Sequence, residues 1–234
     1  NVELNTDVSV SNESFHKSAL ESLMAGCIPL FYGEYVTKFN AAMNWPKELC
    51  FNIHGSLLPK YRGRTPHVWA IINDEKITGI TAHVIDDGCD TGDIIEQIKV
   101  KINNFDSGWD ILGKFKKLYI PMIENVLKKQ GGKNLLLSPQ NEKKATFFPK
   151  RTPDDGLINW DWDFNKIFNW VRAQRSPYPG AFSNYKKQKI IIDYITKINY
   201  PFDKKLKNGT IICDKPLIIK SSDSNIKIIK HRNT

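Results

Sequence analysis

From Cys50 to about Gly131 the chain alternates short apolar runs with stretches of helical period, and from about residue 150 that alternation stops. The first texture constrains the fold most. "LCFNIH", "GITAHVI" and "IIEQIKVKI" read as strands, "HVWAIIND" as a short helix, and "SGWDILGKFKKLYIPMIENVLKKQ" as one long helix. In that helix Leu112, Phe115, Tyr119, Met122, Ile123, Val126 and Leu127 repeat at helical spacing, Ser107 or Asp106 can cap the start, and Gly131-Gly132 stops it. Upstream, "ESFHKSALESLMAGC" reads as a helix and "CIPLFYGEYV" as a strand, with a connector to about Trp45. Strands alternating with helices predict an α/β sandwich whose sheet is mostly parallel.

After residue 150 comes one amphipathic helix, "DFNKIFNWVRAQ", and then the β-rich segments "KIIIDYI", "NGTIICD", "PLIIKSS" and "NIKIIKH". The expectation is therefore two domains, 1–149 and a small β-rich C-terminal module over 150–234, joined through "NEKKATFFPKRTPDDG". No glycine-rich loop and no evident first strand precede the first helix. The sequence is thus expected to begin inside an α/β unit, with further residues before Asn1 in the whole protein.

The charge is divided unevenly. Residues 1–149 carry 17 Lys/Arg against 17 Asp/Glu, and residues 150–234 carry 17 against 8, which is the whole net charge of +9. An anionic partner near the C-terminal module is one reading. Compositional drift is the other, since 28 of the 34 basic residues are Lys. Cys27, Cys50, Cys89 and Cys213 form no CxxC pair, which reads as reduced thiols and a cytoplasmic setting. No apolar run reaches the roughly 20 residues a membrane helix needs, so no membrane partner is expected.

Two polar clusters sit where α/β sheets place ligands, beyond strand ends. In "FNIHGSLLPKYRGRTP" Asn52 and His54 share one face of a strand while Ile53 faces the other way. In "DDGCDTGD", Asp86, Asp87, Asp90 and Asp93 are broken by Gly88 and Gly92, after the strand carrying His83. Three readings stay open on spacing alone. His54, His83, Cys89 and the aspartates could ligate a metal, although no spacing matches a zinc or calcium loop. The aspartate-glycine run could be a plain turn. Or an amide, an imidazole and a carboxylate could serve acyl-type transfer, supplying an oxyanion donor and a proton acceptor. No Ser or Cys lies in a nucleophile-elbow context, which favours transfer without a covalent enzyme intermediate.

"NIHGSLLPKYRGRTP" followed by "HVIDDGCDTGDI" resembles the signature of the N10-formyltetrahydrofolate-dependent formyltransferases. "CIPLFYGEYVTK", "RTPDDGLINW" and "VRAQRSPYPGAF" extend the resemblance over most of residues 25–230. It implies a Rossmann-like catalytic domain, N10-formyltetrahydrofolate as formyl donor and no metal. Its catalytic trio falls on Asn52, His54 and Asp90, the last because Thr91-Gly92 follows it. Asn52 and His54 would stabilise the oxyanion, and Asp90 would take the proton the attacking amine loses. Folate contacts would come from Gly33, Glu34, Tyr35 and Val36, and from Ile85, Asp86, Asp87, Gly88 and Cys89.

The family acts on glycinamide ribonucleotide, methionyl-tRNA or nucleotide-linked amino sugars. Gly55 after the histidine, and "KRTPDDGLINW", look most like the sugar N-formyltransferases. That resemblance implies a dTDP-type 4-amino-4,6-dideoxy sugar or a 3-amino isomer as acceptor, in surface polysaccharide (O-antigen, lipopolysaccharide) synthesis. His83, Arg151, Trp160, Arg172 and Tyr178 are the expected substrate contacts, with core packing as the alternative for Trp160 and a surface ion pair for Arg172. Nucleic acid is not the expected partner. The competing acceptor is methionyl-tRNA, and a catalytically dead binding subunit is a third class. The sequence leaves the oligomeric state open; the β-rich tail could supply a homodimer contact.

Overall fold

The computed structural model describes residues 50–131, 135–186 and 188–233. The expected first helix and strand, the connector to Trp45 and the folate-contacting turn at Gly33, Glu34, Tyr35 and Val36 lie outside them. The chain is mixed α/β and divides into two compact units.

The first unit contains β1 (Phe51–His54) and most of β3 (Ile77–Val84) and β4 (Ile94–Lys101), which form a sheet of order β1-β3-β4, and β2 (Arg62–Gly63), which pairs with β5 (Phe147–Phe148) in a separate two-stranded sheet. β1 and β3 pair antiparallel, in a register that sets Asn52 opposite His83 and His54 opposite Thr81. Cross-strand partners project on the same side. One face therefore carries Asn52, His54, Thr81 and His83, while Ile53 and Ala82 on the other face are buried in the core.

The single long helix expected over 107–130 is two: α2 (Gly108–Lys116) and α3 (Tyr119–Gly131). Pro121 explains the break. It has no N–H to offer the Lys117 carbonyl, and its ring would clash with that carbonyl in a continuous helix. Pro121 is accommodated in the first turn of α3, where an N–H would be unpaired anyway. α3 buries Met122 and Val126, one turn apart, and leaves Leu127 exposed. Ser107 caps α2: its hydroxyl accepts from the Asp110 N–H at 3.2 Å, and the Asp110 carboxylate accepts from the Ser107 N–H at 2.8 Å.

The compact units do not follow a single cut at residue 149. Residues 65–79 and 99–116 group with 148–234, because α1 (Pro66–Ile72) and α2 pack on α4 (Phe164–Ala173). In this second unit an antiparallel sheet of order β6-β7-β10-β9-β8 combines β6 (Ala181–Tyr185), β7 (Gln188–Ile198), β8 (Ile211–Asp214), β9 (Leu217–Lys220) and β10 (Asn225–Asn233). β6 was not anticipated from sequence. The core joins Ile167 and Val171 of α4 to Ile192, Ile195, Ile219 and Ile226 of the sheet. Asp163 caps α4 by accepting from the Lys166 N–H at 2.8 Å. Asp163→Ala is expected to cost about 1 kcal/mol, read as a lower urea midpoint with an unchanged slope. No helix among the described residues is long and apolar enough to cross a membrane.

Candidate active site

The site grows from the end of β1. After His54 the chain folds back on itself: Ser56 Oγ donates to the Lys60 carbonyl at 2.6 Å, and Thr81 Oγ1 donates to the Ser56 carbonyl at 2.6 Å. The Leu58 N–H donates to Thr81 Oγ1, and Gln97 Nε2 donates to the Leu58 carbonyl. This turn brings the Tyr61 carbonyl to 2.8 Å from His54 Nε2. A carbonyl only accepts, so Nε2 carries the proton and Nδ1 is the exchangeable nitrogen. Nδ1 faces Asp90 Oδ1 at 3.4 Å.

The register of β1 and β3 does the same for His83. Its Nδ1–H donates to the Val84 carbonyl at 2.8 Å, leaving Nε2 to accept from Asn52 Nδ2 at 3.4 Å. His83 Nε2 also lies 3.7 Å from Asp90 Oδ1. The other Asp90 oxygen accepts from the Gly63 N–H at 2.9 Å. Asn52, His54 and Asp90 are thus brought together, with His83 as a fourth, buried member.

Electrostatics sharpen the picture. Burial would raise the Asp90 carboxyl, but the hydrogen bond from His83, the charge of His54 and the Gly63 N–H outweigh it and hold the pKa at about 2. Burial pushes the His54 imidazole below histidine's ordinary value, against the raising pull of Asp90 and the Tyr61 carbonyl. Asp90 Oδ1 thus lies between His54 Nδ1 and His83 Nε2. A proton arriving on His54 Nδ1 is held by a charge-assisted hydrogen bond to Asp90.

His54 spends both ring nitrogens inside this cluster, whereas the second amide hydrogen of Asn52 is not used by His83. Cys89 is an exposed residue whose sulfur is only partly desolvated; that desolvation, then the neighbouring Asp90, push its thiol pKa up, away from the reactive thiolate. In the loop before Asp90, Asp86 Oδ1 accepts from the Gly88 N–H at 3.1 Å and from Thr91 Oγ1 at 2.7 Å. Asp86, Asp87, Gly88 and Cys89 are exposed, and Ile85 is half-buried.

The expected substrate contacts of the second unit have other engagements. The Arg151 guanidinium lies between the rings of Trp69 and Trp170, at 4.9 and 4.4 Å, and donates to the Asp155 carbonyl and to Gln174. Arg172 is buried and donates to the carbonyls of Asn103 and Asp106 and to Asn169. Trp160 donates to Ser183 Oγ and packs against the sheet core. The Tyr178 hydroxyl lies 2.8 Å from His67 Nε2. Sequence reading missed the Tyr61 carbonyl and the Gly63 N–H, for which only the Gly/Arg turn composition gave a signal.

An amide donor beside an imidazole–carboxylate pair is an arrangement suited to acyl-type group transfer without a covalent enzyme intermediate. The family follows from comparison. Residues 28–126 match the model of the formyl transferase family and residues 150–233 that of the formyl transferase C-terminal domain, and the chain belongs to this family. Solved structures share the fold. HypX from Aquifex aeolicus, in complex with tetrahydrofolic acid, superposes with a TM-score of 0.59 at 21% identity over 78% of this chain. An N-formyltransferase from Helicobacter canadensis, with folinic acid and dTDP-3-aminofucose, gives 0.55 at 23% over 79%. Methionyl-tRNA formyltransferase from Clostridium thermocellum gives 0.55 at 23% over 94% of this chain and 96% of its own. The chain spans 32% of HypX and 66% of the Helicobacter enzyme.

Proposed function

We propose that the protein transfers a formyl group from N10-formyltetrahydrofolate to the amine of a nucleotide-linked amino-dideoxy sugar. The observation that carries this reading is the close cluster of His54, Asp90 and His83 beside the Asn52 amide. An amine that attacks a formyl carbon must lose a proton, and Asp90 is the partly accessible member that can receive it. At a pKa of about 2, Asp90 cannot keep that proton near neutral pH. It passes the proton to His54 Nδ1, and the imidazolium then donates to both Asp90 and Tyr61. Asn52 donates to the oxygen that becomes negative. The exposed backbone from Asp86 to Cys89 is the proposed donor contact, since a flat amide-bearing ring is read by main-chain groups. The engagements of Arg151, Trp160, Arg172 and Tyr178 give no support to a nucleotide grip, so the acceptor assignment rests on Gly55 and the likeness to sugar enzymes.

A second reading, formylation of methionyl-tRNA, is favoured by the end-to-end match to the Clostridium enzyme and by the basic C-terminal unit. Incubation with formyl-folate and either dTDP-amino sugars or methionyl-tRNA separates the two. We expect sugar formylation; formylation of tRNA alone overturns the choice. Binding of tRNA also weakens steeply with salt, through counterion release at many phosphates, and binding of a diphosphate sugar much less.

The pH dependence follows from His54. Its neutral form accepts the proton and its pKa is lowered, so activity is retained above the ordinary histidine value and lost as pH falls through a point below 6.5. A kcat profile on saturating acceptor should show that acid limb. A limb above pH 6.5 contradicts the assignment.

A further inference from the structure

Arg62 has no solvent exposure, although it carries a charge. Its Nη1 and Nη2 donate to the two carboxylate oxygens of Glu142 at 2.8 and 2.6 Å. Its Nε and Nη2 also donate to Gln140 Oε1, at 3.2 and 2.7 Å. A guanidinium has no acceptor, so this fixes the Gln140 amide with its oxygen toward Arg62 and its nitrogen away. That nitrogen donates to two carbonyls of the loop after β3: Asp90 at 2.9 Å and Gly92 at 2.7 Å. The two carbonyls bracket Thr91, so one amide clamps a whole turn.

The turn has reason to be clamped. Asp90 sits at φ 57°, in the left-handed region that non-glycine residues rarely adopt. Released, it would relax to a commoner conformation and carry its carboxylate away from His54. The same Arg62 sits between Tyr61, whose carbonyl accepts the hydrogen bond from His54 Nε2, and Gly63, whose N–H donates to Asp90 Oδ2. One three-residue segment therefore holds the imidazole through main chain, and the carboxylate through both main chain and the Gln140 bridge.

We propose that Gln140, oriented by the buried guanidinium of Arg62, is a positioning residue of the reaction that fixes the Asp90 turn so that its carboxylate faces His54. The inference rests on the proton-transfer role given above to Asp90 and His54. Gln140 touches no reacting atom; it acts by holding the backbone on either side of Thr91. Its chemistry is specific: the position needs an acceptor for Arg62 and a donor for the loop in one side chain. Glutamate supplies the first and not the second, at the same size.

The test uses Gln140→Ala and the near-isosteric Gln140→Glu in the full chain, with three readouts. Thermal melting reports folding. Steady-state kinetics separate kcat from the donor KM. NMR of 15N-labelled histidines follows His54 without any substrate, its facing groups being Asp90, His83 and the Tyr61 carbonyl. Both variants are expected to fold, to lose about 30-fold or more in kcat with the donor KM within about threefold, and to titrate His54 at lower pH than wild type, because Asp90 no longer raises it. Wild-type kcat in a folded Gln140→Glu, or an unmoved His54 titration in both variants, overturns the proposal. If Gln140→Ala fails to fold, Gln140→Glu decides alone. If the wild type transfers no formyl group, the functional reading fails, and the His54 titration still judges the clamp.

Discussion

Asp90→Asn is expected to lower kcat by about a thousandfold, within the range general acid–base groups contribute, while leaving the folded protein intact. The replacement is nearly isosteric and the site can satisfy it. Its oxygen accepts from the Gly63 N–H as Asp90 Oδ2 does, and its amide nitrogen faces His54 Nδ1 and His83 Nε2. The carboxylate that would receive the amine's proton is then gone. Loss of activity without loss of stability at neutral pH is the signature. Acid stability carries the converse sign. The Asp90 carboxyl is depressed from 3.8 to about 2, so its stabilisation is present above pH 3.8 and is lost as pH falls through about 2. The Asn variant lacks that component, and its unfolding free energy should change less between pH 4 and 2. His54→Ala removes the proton's destination and should match the activity loss. Steady-state kinetics with donor binding by fluorescence check both variants, and full activity in either ends the catalytic assignment.

The core of this site was legible because it depends on short-range geometry. Asn52 and His54 are two residues apart in a strand-like run, and strand pleating alone puts them on one face. What spacing could not supply was register. His83 opposes Asn52 across β1 and β3, 31 positions apart, and its Nε2 accepts from the Asn52 amide. Gln140 was invisible for a stronger reason: nothing in "SPQNEKK" reports an arginine 78 positions earlier. Among the described residues chain texture carried the mixed α/β architecture, but it missed β6, the grouping of residues 65–79 and 99–116 with the C-terminal segment, and the helix break at Pro121, where apolar periodicity outvoted one proline. The basic residues of the second unit illustrate the opposite failure. Arg151 and Arg172 look like anion contacts in sequence, but their aromatic and carbonyl partners come from distant segments that only folding brings near.

Gly92→Ala is expected to damage stability and activity together, and to do so without touching a catalytic side chain. The restriction at Gly92 is space. A β-carbon there would lie 1.9 Å from the Val84 carbonyl oxygen and 2.8 Å from its carbon, both backbone atoms that no rotamer change can move. Val84 is held from both sides: its N–H donates to the Asp93 carbonyl, and its carbonyl accepts the His83 Nδ1–H. Relief therefore comes either from displacing Val84, which frees the His83 tautomer and its bond to Asn52, or from displacing the turn, which pulls Gly92 off Gln140 and swings Asp90. Either route costs about 2–4 kcal/mol, at the upper end of overpacking and strain penalties, and a kcat loss of tenfold or more in the molecules that remain folded. Gly113 in α2 is the internal comparison. Nothing lies within 4 Å of a β-carbon there, so Gly113→Ala should stabilise by up to about 1 kcal/mol through helix propensity and leave kcat alone. Urea unfolding and kinetics below the melting transition measure both variants. A Gly92→Ala protein as stable and as active as the Gly113→Ala protein would show that the loop yields freely, and with it the rigid placement of Asp90 would fall.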